Sequence, residues 1–165
     1  KNRFEKEIKL GFCFMKKAII QLLLIMGGFA IADELPINQN VNQLNISKTI
    51  CTSSYTRLIR PSSGITNKIK KQMMIDAGLN PLKAWQYELD HIIPLAIGGH
   101  QNHPSNFMLQ LWDDEEAGAK KKDKLEVRLQ CLVCTGAIEL RPAQEAIYGD
   151  WQAAYIAYMG IPCKR

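Results

Sequence analysis

The sequence predicts an α+β fold in which a two-stranded hairpin is flanked by helices and held by disulfides. Three observations support this prediction. Helical apolar spacing occurs in three separate segments, whereas only two short segments are rich in strand-forming residues. A chain of 165 residues, 47% hydrophobic and 22% charged, suits one globular domain with its own core. Four cysteines outside the N-terminal region form an even set that can cross-link a small domain.

The N-terminal region has the pattern of a bacterial secretory signal peptide. A Lys-Lys pair precedes an apolar run from Ala18 to about Met26, and the small-residue pattern Ala30-Ile31-Ala32 follows. The apolar run is shorter than the ~20 residues that a membrane span needs. We interpret the residues before Met15 as an upstream extension and predict removal of residues 1–32 by cleavage after Ala32. The mature protein is then expected to be secreted or periplasmic, without a stable membrane anchor.

The overall charge does not by itself indicate a nucleic-acid partner. The net charge is +5, but residues 1–32 contain six of the 21 basic residues and two of the 16 acidic ones. The remaining chain has 15 basic and 14 acidic residues and is nearly neutral. Any contact with nucleic acid must therefore depend on local basic patches.

The cysteines of the mature chain are predicted to form disulfides. Export would place Cys51, Cys131, Cys134 and Cys163 in an oxidising compartment. The alternative is a zinc site that uses the Cys131-x-x-Cys134 pair, but the other two cysteines do not form a second such pair. The residues favour disulfides and leave all three pairings open.

The first half of the mature chain is predicted to contain one helix. Residues 33–49 are polar and Asn/Gln-rich and are predicted to be a flexible N-terminus, so that the domain spans residues 50–165. The segment from Thr52 to Pro61 is predicted to be extended or turn-like. Apolar residues spaced by four predict a helix from Thr66 to Ala77. The opposite face of that helix carries lysines that either are solvated or contact phosphate: Lys68, Lys70 and Lys71.

The second half is predicted to contain the hairpin and two longer helices. Tyr87–Pro94 is predicted to be a strand that enters a Gly98-Gly99 turn, and Asn106–Trp112 is predicted to be the return strand. Apolar periodicity predicts a helix from about Glu116 to Val133, which ends before Gly136. A last helix is predicted to run from Arg141 towards Met159, with proline in its first turn.

The stretch YELDHIIPLAIGGHQNHPSN carries the residue types that phosphodiester hydrolysis requires. The imidazole of His91 suits a base that activates water, and the carboxylate of Asp90 suits a hard cation. Asn106 can either hold the hairpin or fix the tautomer of the imidazole. A histidine leading into a hairpin, an asparagine on the return arm and a following helix together form the ββα-metal arrangement.

The motif DHIIPLAIGG…N resembles the HNH endonuclease motif of the ββα-metal superfamily. More narrowly, four segments resemble, in this order, a group of secreted bacterial HNH-like proteins: ICTSSYTRLIRP, YELDHIIPLAIGG, KKDKLEVRLQCLVCTG and LRPAQEAIYGDWQAAY. The resemblance runs from about Ile50 to Tyr155. It implies a small ββα-metal core with flanking helices, in which His91 is the general base, Asp90 a metal ligand and Asn106 the middle residue of the motif.

The same resemblance implies a disulfide pairing and a metal. It pairs Cys51 with Cys134, which leaves Cys131 with Cys163. The implied cofactor is a divalent cation: Mg²⁺, Mn²⁺, Zn²⁺ or Ni²⁺.

The sequence departs from the HNH-like pattern in two places. The second arm reads FMLQLW, where such proteins usually read Leu-Trp-Pro. The following helix has Gly118, Ala119 and Lys120 in the region where an HNH protein offers a His or Asn as its last metal ligand. Asp123 is the best local substitute, and Glu126 lies one turn below it. The third metal ligand stays open.

These features predict an exported, metal-dependent endonuclease that cuts DNA, or alternatively RNA, with little sequence preference. Basic residues are expected to hold the phosphates without reading bases: Arg57, Arg60, Lys68, Lys71, Lys120, Lys121 and Lys122. One alternative is a non-catalytic exported binding domain on a degenerate HNH scaffold. Another is a secreted antibacterial nuclease toxin, which would have an immunity protein as its partner.

The remaining histidines and the tryptophans are predicted to lie outside the catalytic site. His100 and His103 belong to a polar turn and are expected to be exposed. The three tryptophans are expected to pack in the core rather than to stack on bases: Trp85, Trp112 and Trp151.

Overall fold

The computed structural model describes residues 34–163 and confirms the α+β prediction. The predicted signal peptide and its cleavage site lie outside these residues. The helices and strands follow in this order: α1 (Tyr55–Ile59), α2 (Ser63–Asp76), β1 (Tyr87–His91), β2 (Phe107–Leu111), α3 (Ala119–Cys134) and α4 (Leu140–Tyr158). Short 3-10 segments occur at Ile46–Lys48, Pro81–Gln86, Leu95–Ile97 and Pro104–Asn106.

The two strands form an antiparallel pair within the predicted ranges, but β1 ends at His91 rather than Pro94, and β2 is one residue shorter than predicted at each end. Tyr87 pairs with Leu111 at one end, and His91 pairs with Phe107 at the other. The connection between the strands is a compact loop that contains two of the 3-10 segments. Within residues 34–163, no helix is long and apolar enough to cross a membrane.

Helix α1 was not predicted, so the expectation of an extended or turn-like segment is wrong for these five residues. The residues from Tyr55 to Ile59 lack glycine and proline, and they form one short helix. The helix ends at Arg60, whose backbone is extended with φ −62° and ψ 130°. Proline at position 61 explains this end, because its ring disfavours a helical conformation at the preceding residue.

The three predicted helices are confirmed with shifted ends. Helix α2 begins at Ser63, three residues before the predicted start, and α3 begins at Ala119, three residues after it. Helix α4 contains a kink at Asp150, whose backbone is not helical. The Asp150 carboxylate accepts hydrogen bonds from the backbone N–H groups of Gln152 and Ala153, each at 3.0 Å. It therefore caps the second part of α4 in the manner of a helix N-cap.

The segment before Ile50 is packed against the domain, which corrects the prediction that residues 33–49 are flexible. Leu35 and Val41 are buried in the core. The backbone N–H of Asn38 donates to the carbonyl of Gly98 at 2.8 Å, and the N–H of His100 donates to the carbonyl of Pro36 at 2.8 Å. The prediction failed because it was based on the mostly polar composition of the segment and gave no weight to these two apolar residues. Their burial holds the segment against the loop between the strands.

The core lies between α3, α4 and the loop that joins the strands. Leu125, Leu129 and Val133 of α3 are fully buried and form one cluster with buried residues of α4 and of the loop: Leu140, Ala143, Ile147, Ile93 and Ile97. The apolar residues whose periodicity predicted α3 thus form its buried face. The two long helices and the loop after β1 thus share one core, and the loop residues Ile93 and Ile97 are packed against both α3 and α4.

Both disulfides are present, with the pairing that the resemblance implied. Cys51 is joined to Cys134, and their Cα atoms are 5.5 Å apart. Cys131 is joined to Cys163, and their Cα atoms are 6.1 Å apart. The C-terminal end of α3 is therefore linked both to the segment before α1 and to the segment after α4.

Breaking the Cys51–Cys134 disulfide is expected to destabilise the protein more than breaking the Cys131–Cys163 disulfide. The first closes a sequence separation of 83 residues and the second one of 32 residues. In the chain-entropy description each loss costs about 2–5 kcal/mol, and the longer loop costs about 1 kcal/mol more. The measurement is the free energy of unfolding in urea of the Cys51→Ala/Cys134→Ala and Cys131→Ala/Cys163→Ala variants. A larger loss in the second variant would contradict the expectation.

Candidate active site

Asp90 and His91 are the last two residues of β1, and both are buried. Because side chains alternate along a strand, the two residues point to opposite faces of the hairpin. Asp90 contacts a residue of α3, whereas His91 lines a surface cleft beside α2. The adjacent positions thus place an acid against the supporting helix and an imidazole at the surface where a substrate can approach.

Asn106 holds the loop between the strands. Its side chain is fully buried, and its Oδ1 accepts from the backbone N–H of Ile93 at 2.8 Å. Its Nδ2 donates to the carbonyls of Ile93 at 3.0 Å and His100 at 2.9 Å. Of the two roles considered for Asn106, the structure thus gives it the first, that of holding the hairpin. A Cβ at Gly99 would lie 1.8 Å from the Ile93 carbonyl oxygen, so glycine is needed there.

The imidazole of His91 is oriented by a backbone carbonyl. Its Nε2 lies 3.1 Å from the carbonyl oxygen of Gln101, and its ring packs against Phe107 with the centroids 4.9 Å apart. A carbonyl oxygen only accepts hydrogen bonds, so Nε2 must carry the proton and Nδ1 of the neutral ring is free to accept one. Burial lowers the pKa of His91 by more than the hydrogen bond to Gln101 raises it. The neutral ring that a general base requires is therefore favoured.

Lys122 is fully buried and joins β1 to α3. Its Nζ donates to Asp90 Oδ2 at 2.8 Å, to the His91 carbonyl at 2.7 Å and to Glu126 Oε1 at 2.5 Å. Burial lowers the pKa of Lys122, but the two carboxylates more than offset this and the net shift is upwards. The ammonium group is charged and its three protons are all used. Lys122 is therefore not placed for the phosphate contact that was predicted for it.

The Lys122 ammonium is surrounded by more carboxylates than it can neutralise. Burial, together with the charges of Asp90 and Asp123, raises the pKa of Glu88 to about 7. Burial and then the charge of Asp90 also raise the pKa of Asp123. Burial raises the pKa of Glu126 to about 7, against the opposing effect of Lys122. Glu88, whose Oε2 is buried without a hydrogen-bond partner, was missed by sequence reasoning. Its position two residues before Asp90, on the same strand face, was the available signal.

The predicted metal ligands do not form a complete metal site in this arrangement. Asp90 Oδ1 accepts from the backbone N–H of His91 at 2.7 Å, and Asp90 Oδ2 is bound to Lys122. Each Asp90 oxygen thus already accepts one hydrogen bond, and the Lys122 ammonium would repel a cation bound at Asp90. In the part of the chain that the structure describes, no three His, Cys, Asp or Glu side chains are grouped so that they could hold a metal ion. Asp123 does not complete such a group.

A cleft of about 380 Å³ lies beside His91, between β1 and the N-terminal part of α2. Arg60 lies at this cleft, as its predicted role requires. Lys70 also lines it, and its Nζ donates to the carbonyl of Tyr87. Three residues predicted to contact phosphate are exposed and do not line the cleft: Arg57, Lys68 and Lys71.

The other predicted phosphate contacts pair with acids near the start of α3. Lys120 forms an ion pair with Asp113, and its Nζ lies 5.7 Å from the centre of the Trp112 ring. Lys121 forms an ion pair with Glu116 at 3.2 Å. Both lysines line a second depression that also contains acidic residues, so the positive charge there is partly neutralised.

The tryptophan prediction is confirmed for Trp151 and wrong for Trp85. Trp151 packs against the core cluster. The side chain of Trp85 is 77% exposed and that of Trp112 is 37% exposed, and both line the cleft beside His91. His103 is exposed as predicted, whereas His100 is half-buried.

Comparison with known proteins does not assign a family to this chain. No protein-family model, curated protein or solved structure matches it. The HNH resemblance thus stays a prediction from the sequence motifs, and a functional proposal must also rest on the geometry of the site.

Replacing Lys122 is expected to destabilise the protein strongly. Lys122→Met would leave the buried Asp90 and the half-buried Glu126 carboxylates without their cation, a loss of about 3–5 kcal/mol in the free energy of unfolding. The matched control is Lys124→Met, which removes an exposed lysine of the same helix and should change stability by less than about 0.5 kcal/mol. Urea denaturation measures both free energies of unfolding, and equal losses in the two variants would contradict the role of Lys122 in joining β1 to α3.

The raised pKa of Glu88 predicts a loss of stability as the pH rises. The unfolded group titrates near 4.5 and the folded group near 7, so the folded state holds the proton more tightly. Its contribution is therefore fully present below the unfolded pKa and is lost as the pH rises through the folded pKa. Glu88→Gln should raise the melting temperature more at about pH 8 than at about pH 5. Thermal unfolding in EDTA tests this against the exposed control Glu115→Gln, and a pH-independent difference would contradict it.

Proposed function

We propose that this protein is an endonuclease of the HNH type, which hydrolyses phosphodiester bonds of DNA, or alternatively RNA, with low sequence specificity. The observation that carries this proposal is His91. Its ring is held by the Gln101 carbonyl with Nδ1 free, its pKa is lowered by burial, and it lines a cleft that also contains the cation Arg60. A neutral base and a cationic side chain at the same cleft are a pairing that suits phosphodiester hydrolysis.

In the proposed reaction, Nδ1 of His91 takes a proton from a water molecule in the cleft. The water oxygen attacks the phosphorus, the bond from phosphorus to the leaving oxygen breaks, and a proton from solvent completes the leaving hydroxyl. Arg60 compensates the charge that develops on the phosphate oxygens. Asn106 does not contact the reacting atoms in this scheme. It holds the backbone after β1, so that the carbonyl of Gln101 stays in position against His91.

A divalent cation remains part of the proposal on the strength of the resemblance alone. The described carboxylates do not complete a site for it, since Asp90 is paired with Lys122 and no group of three potential ligands is found among the described residues. No step above therefore depends on a metal. Dependence on Mg²⁺, Mn²⁺, Zn²⁺ or Ni²⁺ is tested directly by the assay below.

We also propose that the protein is exported. Two disulfides in a small domain are typical of oxidising compartments, and they are compatible with a secreted or periplasmic location. The leader that predicts export lies outside the described residues.

One observation favours a second candidate function, a non-catalytic nucleic-acid-binding domain. The Asp90–Lys122 ion pair occupies the carboxylate that the resemblance assigns to a metal. A scaffold that has exchanged its cation site for an internal ion pair can keep a binding cleft without catalysis. Cleavage, or its absence, separates this candidate from the endonuclease.

The testing experiment is cleavage of supercoiled plasmid by the purified, oxidised protein, with divalent metals scanned against EDTA. His91→Ala is expected to lower the nicking rate by a factor of about 100 or more, the range for losing a general base. His103→Ala, which removes an exposed histidine of the same region, should cleave at the parent rate. Circular dichroism confirms that both variants are folded. Full activity in His91→Ala would exclude His91 as the base, and a folded parent protein that never cleaves would favour the binding domain.

A further inference from the structure

The exposed tryptophans lie at the same end of the hairpin. The strand pairing ends with Tyr87 opposite Leu111, and one more hydrogen bond follows, from the N–H of Trp112 to the carbonyl of Gln86 at 2.9 Å. A backbone hydrogen bond thus links Trp112 to Gln86, the residue that follows Trp85. Trp112 directly follows β2, and Trp85 lies in the 3-10 segment that leads into β1, so both indoles are placed next to the end of the hairpin opposite His91.

These indoles form one part of a wall that leads to His91. Tyr87, Leu89 and His91 alternate along β1 and line the cleft, as expected for one face of a strand. Trp85, in the 3-10 segment that leads into β1, and Glu88 line the cleft as well. The result is a row of aromatic and apolar surface with an imidazole at its far end. Large apolar surfaces that stay exposed on a small protein commonly mark a binding site.

The opposite wall of the cleft is polar and basic. Helix α2 contributes residues at helical spacing, which therefore share one face: Ser63, Thr66, Asn67 and Lys70. Arg60, just before the helix, adds an exposed guanidinium group. An aromatic wall facing hydroxyl, amide and cationic groups matches a nucleotide, whose base offers a stacking face and whose phosphate accepts hydrogen bonds and carries negative charge.

We propose that this cleft binds an unpaired nucleotide of single-stranded nucleic acid. The base stacks on the indoles of Trp85 and Trp112, and its phosphate lies towards Arg60 and His91. This inference rests on the proposed function and specifies its substrate as an unpaired strand. In a duplex both faces of each base are covered by neighbouring base pairs, so the indoles have no face to contact. A cleft of about 380 Å³ also suits one small ligand unit rather than a double helix.

The first test measures binding separately from cleavage. Fluorescence anisotropy in EDTA, with the His91→Ala variant, compares three labelled probes: a short oligothymidylate, an abasic strand of equal length, and a duplex of equal length. The oligothymidylate is expected to bind about tenfold more tightly than either of the others, because only it offers free base faces. Equal affinity for the abasic strand would overturn the proposal, since binding would then depend on phosphates alone.

Tryptophan variants identify the stacking surface. Trp85→Ala and Trp112→Ala, each in the His91→Ala background, should weaken oligothymidylate binding by about tenfold and leave abasic-strand binding unchanged. Trp85→Phe should restore most of the loss, because phenylalanine keeps an aromatic face. The matched control is Ile156→Ala, which removes an 83% exposed apolar side chain on α4. Unchanged binding in both alanine variants would overturn the proposal.

Parallel plasmid cleavage by the parent protein distinguishes this inference from the proposed function. Cleavage together with tryptophan-independent binding would overturn the stacking cleft and leave the endonuclease intact. Tryptophan-dependent binding of the single strand without cleavage would support the cleft and overturn the endonuclease. Absence of both binding and cleavage in the folded protein would overturn both.

Discussion

The buried ammonium group of Lys122 is the interaction on which the rest of the site depends. It is the point where the last two residues of β1 meet helix α3, through the Asp90 carboxylate and the His91 carbonyl. A charge with no exposure to solvent is tolerated only when acceptors surround it, and Glu126 supplies the third. The position of the His91 backbone is thus fixed by a hydrogen bond as well as by strand pairing. What the imidazole can do in the cleft follows from that fixed position.

The sequence predicted the fold well where one physical signal dominates. Leu125, Leu129 and Val133 lie on one face at helical spacing, and that face is the core. The hairpin was predictable because β-rich runs flank a glycine pair, and the disulfides because an even set of four cysteines follows a predicted secretion signal. The pairing of those cysteines came from the resemblance, not from their spacing.

The site was harder to predict because its residues obey competing rules. Lys122 belongs to a run of three lysines, a pattern that predicts an exposed position. It nevertheless lies three residues before Leu125 and seven before Leu129, on the apolar face of α3. Its burial depends on partners in β1 that are distant in sequence. Trp85 shows the reverse case. Its large apolar side chain is of a type usually found in the core, but its position next to the end of the hairpin leaves it exposed to solvent. Local spacing places Lys122 on the apolar face of α3, but neither its burial nor the exposure of Trp85 can be deduced without the partners that the fold supplies.

The positions of the cysteines also set an order of events during biosynthesis. The Cys51–Cys134 disulfide cannot form before Cys134 has been synthesised, and the Cys131–Cys163 disulfide cannot form before Cys163 has been synthesised. Neither disulfide can therefore form before most of the chain has been made. Both links meet at the end of α3, the helix whose lysine positions His91. In a reducing cytoplasm this helix would lack its two anchors. For an exported nuclease, that order would leave the enzyme incomplete while it still shares a compartment with the chromosome of the cell that makes it.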